Sequence, residues 1–130
     1  MDKTSLKRLS TCHPDLIRLF EQVDKTFPLL IIEGHRGREA QHAAFAAGRS
    51  KLDWPKGKHN SLPSLAVDAA PLPLDWAGKK SREKFYLFAG FVLAQALALG
   101  ISLRWGGDWD SDWDIKENSF DDLVHFELRL

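Results

Sequence analysis

In the segment GKHNSLPSLAVDAAP a histidine and an aspartate, His59 and Asp68, stand nine positions apart, and a second histidine, His125, follows near the end of the 130-residue chain. Asp68 lies between Val67 and Ala69 in a short apolar run. A carboxylate in such a setting is costly unless it is paired or bound to a cation. A zinc ion held by His59, Asp68 and His125 would neutralise it, and three protein ligands leave a fourth position open, the ligand count of a catalytic site. The plainer alternative is that backbone amides satisfy Asp68. No compact signature such as H-E-x-x-H is present to decide between them. The remaining histidines have bland readings: His13 at a helix start, His42 on a helix surface and His35 in a loop.

The last segment, LVHFELRL, alternates as a strand does. Side chains two apart share a strand face, so Leu123, His125 and Glu127 are predicted on one side and Val124, Phe126 and Leu128 on the other. The polar set either faces solvent or faces a site. In the second case Glu127 is a candidate general base or the acceptor that orients an imidazole. Trp105 and Trp109 are candidates for a substrate cleft, with Trp113 beside them, although packing is the default role for each. The carboxylates of DWDSDWD alternate as in a calcium loop, but the central glycine and terminal glutamate of an EF-hand are missing.

These residues need elements to carry them. HPDLIRLFEQVDKTF reads as a helix, with Pro14 in its first turn and Leu16, Leu19, Phe20, Val23 and Phe27 at helical spacing. LLIIEG reads as a strand and REAQHAAFAAG as a helix ending at Gly48. Residues 49–64 form a long polar loop, of the kind that tends to carry function. LAVDAA is a strand, and SREKFYLFAGFVLAQALALG is the principal helix, with Ser81 as its predicted N-cap and Gly100 as its end. ISLRWG and the final segment supply two more strands around an acidic, tryptophan-bearing loop. The expected class is α+β, a small and largely antiparallel sheet packed with helices.

Composition narrows the function. With 44% hydrophobic residues the chain suits a single domain spanning residues 1–130. Its 18 basic and 18 acidic residues cancel, which speaks against a nucleic-acid or anionic-membrane binder. One cysteine, Cys12, allows neither an internal disulfide nor a thiolate metal cluster. The N-terminal residues lack an apolar leader, and no run of ~18 apolar residues is present to cross a bilayer.

Taken together, IIEGHRGREAQHAAFAAGRS, KHNSLPSLAVDAAPLPLDW, LRWGGDWD and DLVHFEL resemble the zinc peptidases of the D-alanyl-D-alanine carboxypeptidase and phage L-alanyl-D-glutamate endopeptidase group. The likeness runs from about Leu29 to the end. It implies a Hedgehog/DD-peptidase-like fold, zinc as the cofactor and His59, Asp68 and His125 as its ligands. Two departures stand out: the family pattern S-x-H-x-x-G-x-A-x-D has Gly57 in its serine position here with a longer interval to the aspartate, and His35 occupies the aromatic position of S-G-Y-R. Arg36 of that motif is retained and is implied to act near the scissile carbonyl. The resemblance also implies Asp122, three residues before His125, as the general base, whereas strand geometry favours Glu127 unless the chain bends before Leu123.

The implied reaction is hydrolysis of an amide in the peptidoglycan stem peptide by a monomeric enzyme that inserts in no membrane. Without a leader or a wall anchor, a phage lysis enzyme is expected, accumulating in host cytoplasm and released through the membrane by another protein. The endopeptidase is favoured over the carboxypeptidase, and a non-catalytic, zinc-containing wall-binding module is the reading from another class.

Overall fold

The structure, a computed structural model, describes residues 1–76, 79–115 and 122–129. Helix α1 (Lys3–Leu9) is followed by α2 (Pro14–Asp24), strand β1 (Leu29–Glu33), α3 (Arg38–Ala46) and a 3-10 turn at Lys58–Asn60. Strand β2 (Ala66–Pro71), the long α4 (Lys79–Ala98), β3 (Leu103–Trp105) and β4 (His125–Leu128) complete the chain. The strands form one four-stranded sheet in the order β1-β2-β4-β3, antiparallel at every pairing. This is the α+β class that the periodicities predict. No helix among the described residues is long and apolar enough to cross a membrane.

Alternation along each strand divides the sheet into an apolar and a polar face. Leu29, Ile31, Val67, Ala69, Leu103, Trp105, Phe126 and Leu128 all belong to the buried core, together with Leu16, Leu19, Phe20 and Val23 of α2 and Phe88, Ala89, Val92 and Ala96 of α4. Phe126 is the centre of this packing, edge-on to Phe20 at 5.6 Å and to Phe88 at 6.1 Å between ring centroids. Such edge-to-face contacts add to the burial of aromatic area. The alternate positions Asp68, Arg104, His125 and Glu127 carry the charges, and Glu33 on β1 joins them through a shift of register after Ile31.

Several boundaries differ from the sequence expectation. Helix α1 was not predicted; Asp2 caps it by accepting from Ser5 N at 2.7 Å, and the Met1 ammonium pairs with Asp24 at 2.9 Å. Ser81 does not cap α4, which begins at Lys79; its hydroxyl bonds to the Asp75 carbonyl instead. The helix ends at Gly48 and Gly100 hold, with φ of +77° and +72°, values that glycine adopts without strain.

The last strand is shorter than predicted, because Leu123 and Val124 lie in a turn closed by His125 N donating to Asp122 O at 3.1 Å. Leu123 therefore packs against the core rather than sharing the face of His125. Of NSFDD, predicted to bend the chain, only Asp122 falls within the described residues.

Candidate active site

The polar face is assembled by strand register. Asp68 on β2 pairs directly with His125 on β4, Ala66 with Glu127, and Glu127 in turn with Arg104 on β3. Directly paired residues project to the same side with their Cβ atoms about 5 Å apart, so Asp68 and His125 meet without help from a loop. On the other side of β2 the register with β1 slips between Ile31 and Glu33, which sets Glu33 opposite Asp68. A bulge of this kind re-aims a side chain next to a site.

His59 comes from the 3-10 turn, which the backbone ties down: Arg36 N donates to His59 O at 2.8 Å and Leu65 N to Lys58 O at 3.0 Å. The nine-residue interval to Asp68 closes without difficulty, with His59 Nε2 3.1 Å from Asp68 Oδ1. His125 Nδ1 lies 3.3 Å from the same oxygen. One ligand atom from each of His59, Asp68 and His125 can be chosen so that all lie within 4.8 Å of one another, and all three residues are buried. Neither solvent exposure of His125 nor satisfaction of Asp68 by backbone amides alone describes this arrangement.

The outer nitrogen of each imidazole is already committed. His59 Nδ1 donates to Gly34 O at 2.7 Å, an acceptor only, and His125 Nε2 donates to Glu127 Oε1 at 2.9 Å. The inner nitrogens therefore both face the Asp68 carboxylate. Each must either carry a second proton or offer its lone pair to a cation shared with that carboxylate. Two imidazole nitrogens and one carboxylate oxygen, with their outer N–H groups fixed by a carbonyl and a carboxylate, are a donor set that fits zinc.

Charge follows the same logic. Burial opposes ionisation of Asp68, but hydrogen bonds to His125 and His59 and their charge outweigh it, holding the carboxyl far below the usual range. Burial also opposes charge on His125, yet Asp68 and Glu127 push it up to about 9. Glu127 is depressed despite its own burial, through His125 and through Arg104, whose guanidinium bonds Oε2 at 2.9 Å. Asp122 moves the other way: burial and the neighbouring Asp68 raise its pKa, only partly offset by His125, His59 and Arg36.

Asp122 reaches the site because of the turn at Leu123 and Val124. Gly106 passes directly beneath it, donating N–H to His125 O at 2.8 Å and accepting from Asp122 N at 2.8 Å. A Cβ at Gly106 would run into the Asp122 carbonyl group and lie 3.0 Å from the Asp122 Cβ. Arg36 stands on the opposite side, 2.7 Å from Glu33 and 3.5 Å from Asp68.

These groups open into a cavity of about 310 Å³ lined by Arg36, His59, Trp109, Asp122, His125 and Glu127, among others. The Trp109 ring leans on His125 at 5.4 Å, with the Arg104 guanidinium 5.5 Å above it. Trp105 does not line this cleft. It is buried on the core side of β3, where alternation places it, and its indole N–H donates to Leu123 O at 2.9 Å. Trp113 is exposed and borders a separate hollow beside α4. In the acidic loop, Asp108 is buried and its carboxylate accepts from the amides of Trp113 and Asp112.

Sequence reasoning passed over Gln41 and Asn60. Gln41 is fully buried on α3, and its Oε1 accepts from Arg36 Nη1 and from Asn60 Nδ2, both at 3.0 Å, while its Nε2 donates to Ser50 and to the Leu52 carbonyl. It locks Arg36, the turn carrying His59 and the 50–52 loop together. The signal was available: a glutamine recurring with Ala44 on the buried side of an amphipathic helix.

The sequence profile of the phage L-alanyl-D-glutamate peptidases matches residues 1–129. The chain belongs to that family. The match takes in α1 and α2, which lie before the motifs that carry the resemblance. The L-alanyl-D-glutamate peptidase of Escherichia phage T5 is 30% identical over 129 residues, covering 92% of this chain and 90% of that relative. The crystal structure of the Serratia marcescens L-Ala D-Glu endopeptidase ChiX superposes on this family member with a TM-score of 0.76 at 26% identity, covering 99% of this chain and 89% of ChiX.

Proposed function

We propose that the protein hydrolyses the amide between L-alanine and D-glutamate in the peptidoglycan stem peptide, using zinc held by His59, Asp68 and His125. The supporting observation is the convergence of two imidazoles on one buried carboxylate with their outer N–H groups already engaged. When bound, zinc supplies Lewis acidity, polarising the scissile carbonyl and acidifying water.

The chain's own residues perform the remaining steps. Asp122 accepts the proton of the attacking water and passes it to the leaving amine, a role suited by a carboxyl whose pKa is raised towards the working range. Glu127 is less suited to it: both its oxygens are occupied, by His125 and Arg104, and its depressed pKa makes it a weak base. It orients His125 instead. Arg36, held by Glu33 and Gln41 at the cleft wall, stabilises negative charge developing on the carbonyl oxygen. Trp109 walls the cleft beside His125.

Mass spectrometry of peptidoglycan digested by zinc-loaded protein tests the reading. New amino-terminal glutamyl peptides are expected, abolished by a chelator and restored by zinc. Release of terminal alanine alone would show a carboxypeptidase, and binding to the wall with no product would show a non-catalytic module.

A further inference from the structure

The cleft lining is unevenly charged in a chain whose charges otherwise cancel. Five cations, Arg36, Arg49, Lys51, Lys58 and Arg104, line it against two carboxylates, Asp122 and Glu127. Arg36 is neutralised by Glu33 and Asp68, and Arg104 by Glu127. No ion pair among the described residues involves Arg49 or Lys58. The Lys58 ammonium gives one N–H to Leu128 O at 3.0 Å, which leaves two of its three donors. The buried Arg104 Nε–H has no hydrogen-bond partner among the described residues.

This wall is also firmly mounted. Lys58 immediately precedes His59 in the 3-10 turn, and its stem spans to the end of β4. The backbone of Arg49 is held just past the end of α3, where its N–H donates to Ala44 O at 2.9 Å. Cations lining a cleft beside the reacting groups select among ligands by charge.

The substrate chemistry supplies a matching group. A glutamyl residue has two carboxyls, and a peptide can continue through only one of them. Its nitrogen is the leaving amine, so the free carboxylate lies a few bonds from the scissile bond. We infer that Arg49 and Lys58 bind the free carboxylate of the glutamyl residue on the leaving side, and so make the enzyme selective for the acid over the amide of that residue. The inference rests on the bond assigned under Proposed function.

Two stem peptides, identical except that this carboxyl is free in one and a primary amide in the other, test it through kcat/KM. Wild-type protein is expected to favour the acid by about tenfold or more, since removing one member of a charged recognition pair commonly costs that much. In Arg49→Gln/Lys58→Gln, with folding checked by its melting temperature, the acid-to-amide ratio should fall towards one. Arg49→Gln alone, at an exposed site, should move the ratio part of the way and serves if the double variant does not fold. Equal cleavage of both peptides by wild-type protein, or a wild-type ratio in the folded variants, would overturn the inference while leaving the bond assignment standing. Cleavage of neither peptide by zinc-loaded wild-type protein would instead overturn the bond assignment, and this inference with it.

Discussion

His125 and Glu127, two residues apart on the same face of β4, are joined by a hydrogen bond of 2.9 Å between Nε2 and Oε1. Glu127 in turn accepts from Arg104 on the neighbouring strand. The carboxylate is thus held by β3 while it holds the imidazole. Removing such an acceptor typically lowers metal affinity about 10–100-fold, and Glu127→Ala is expected to do so in zinc titrations against a competing chelator. Undiminished affinity would show that Glu127 does not orient the ring.

Asp122 makes no claim on the metal site itself, so its loss should separate turnover from binding. Asp122→Asn is expected to lower kcat by about 10²–10⁴-fold, the usual contribution of a positioned general base. Zinc content by atomic absorption should stay at the wild-type level. Near-normal turnover in the zinc-loaded variant would eliminate Asp122 as the proton acceptor.

Gly106 supports Asp122 through close backbone approach, and the atoms a Cβ would strike belong mainly to the Asp122 main chain, which has little room to yield. Gly106→Ala should therefore shift Asp122 and reduce kcat, with a stability loss of about 1–3 kcal/mol from overpacking. Steady-state kinetics together with denaturant unfolding checks both effects. A variant with full activity would show that the contact does not place the base.

In metal-free protein the stability should depend on pH through His125. Its pKa is about 9 in the fold against 6.5 for the free side chain, so the folded state binds this proton more tightly than the unfolded one. The associated stabilisation is complete below pH 6.5 and is lost as pH rises through about 9. Melting temperatures of chelator-treated protein should fall across that window, and zinc should flatten the profile by taking the imidazole as a neutral ligand. A flat metal-free profile would contradict the pairing of His125 with Asp68 and Glu127.

Gln41 has no place in the chemistry, yet it joins Arg36, Asn60 and the 50–52 loop. Gln41→Leu leaves one Asn60 side-chain N–H and one Arg36 N–H without their acceptor, at a cost of about 1–3 kcal/mol for each buried group left unsatisfied. A lower melting temperature and a lower kcat are expected together. An unchanged melting temperature would mean that water replaces the amide.

Much of this protein is legible in its sequence. Local rules determine the helices from the spacing of Leu16, Leu19 and Phe20 or of Phe88, Val92 and Ala96, and the two-residue period of HFEL already puts His125 and Glu127 together. The residue types at 59, 68 and 125 restrict the chemistry to nitrogen and oxygen ligation, and the quoted motifs carry the family. Helix α1 escaped notice because only Ser5 and Leu9 of it are buried, too few to leave a periodic signal.

Tertiary structure decided the rest, because the deciding contacts join residues far apart in the chain. The register that sets Asp68 against His125, the turn that brings Asp122 round to the cleft, and the burial that moves Trp105 into the core while leaving Trp109 in the cleft wall all depend on how β2, β3 and β4 pair. A strand's own pattern states which residues share a face. Only pairing across the sheet states which residue each one meets, and that meeting sets the distances and pKa values on which the proposed catalysis depends.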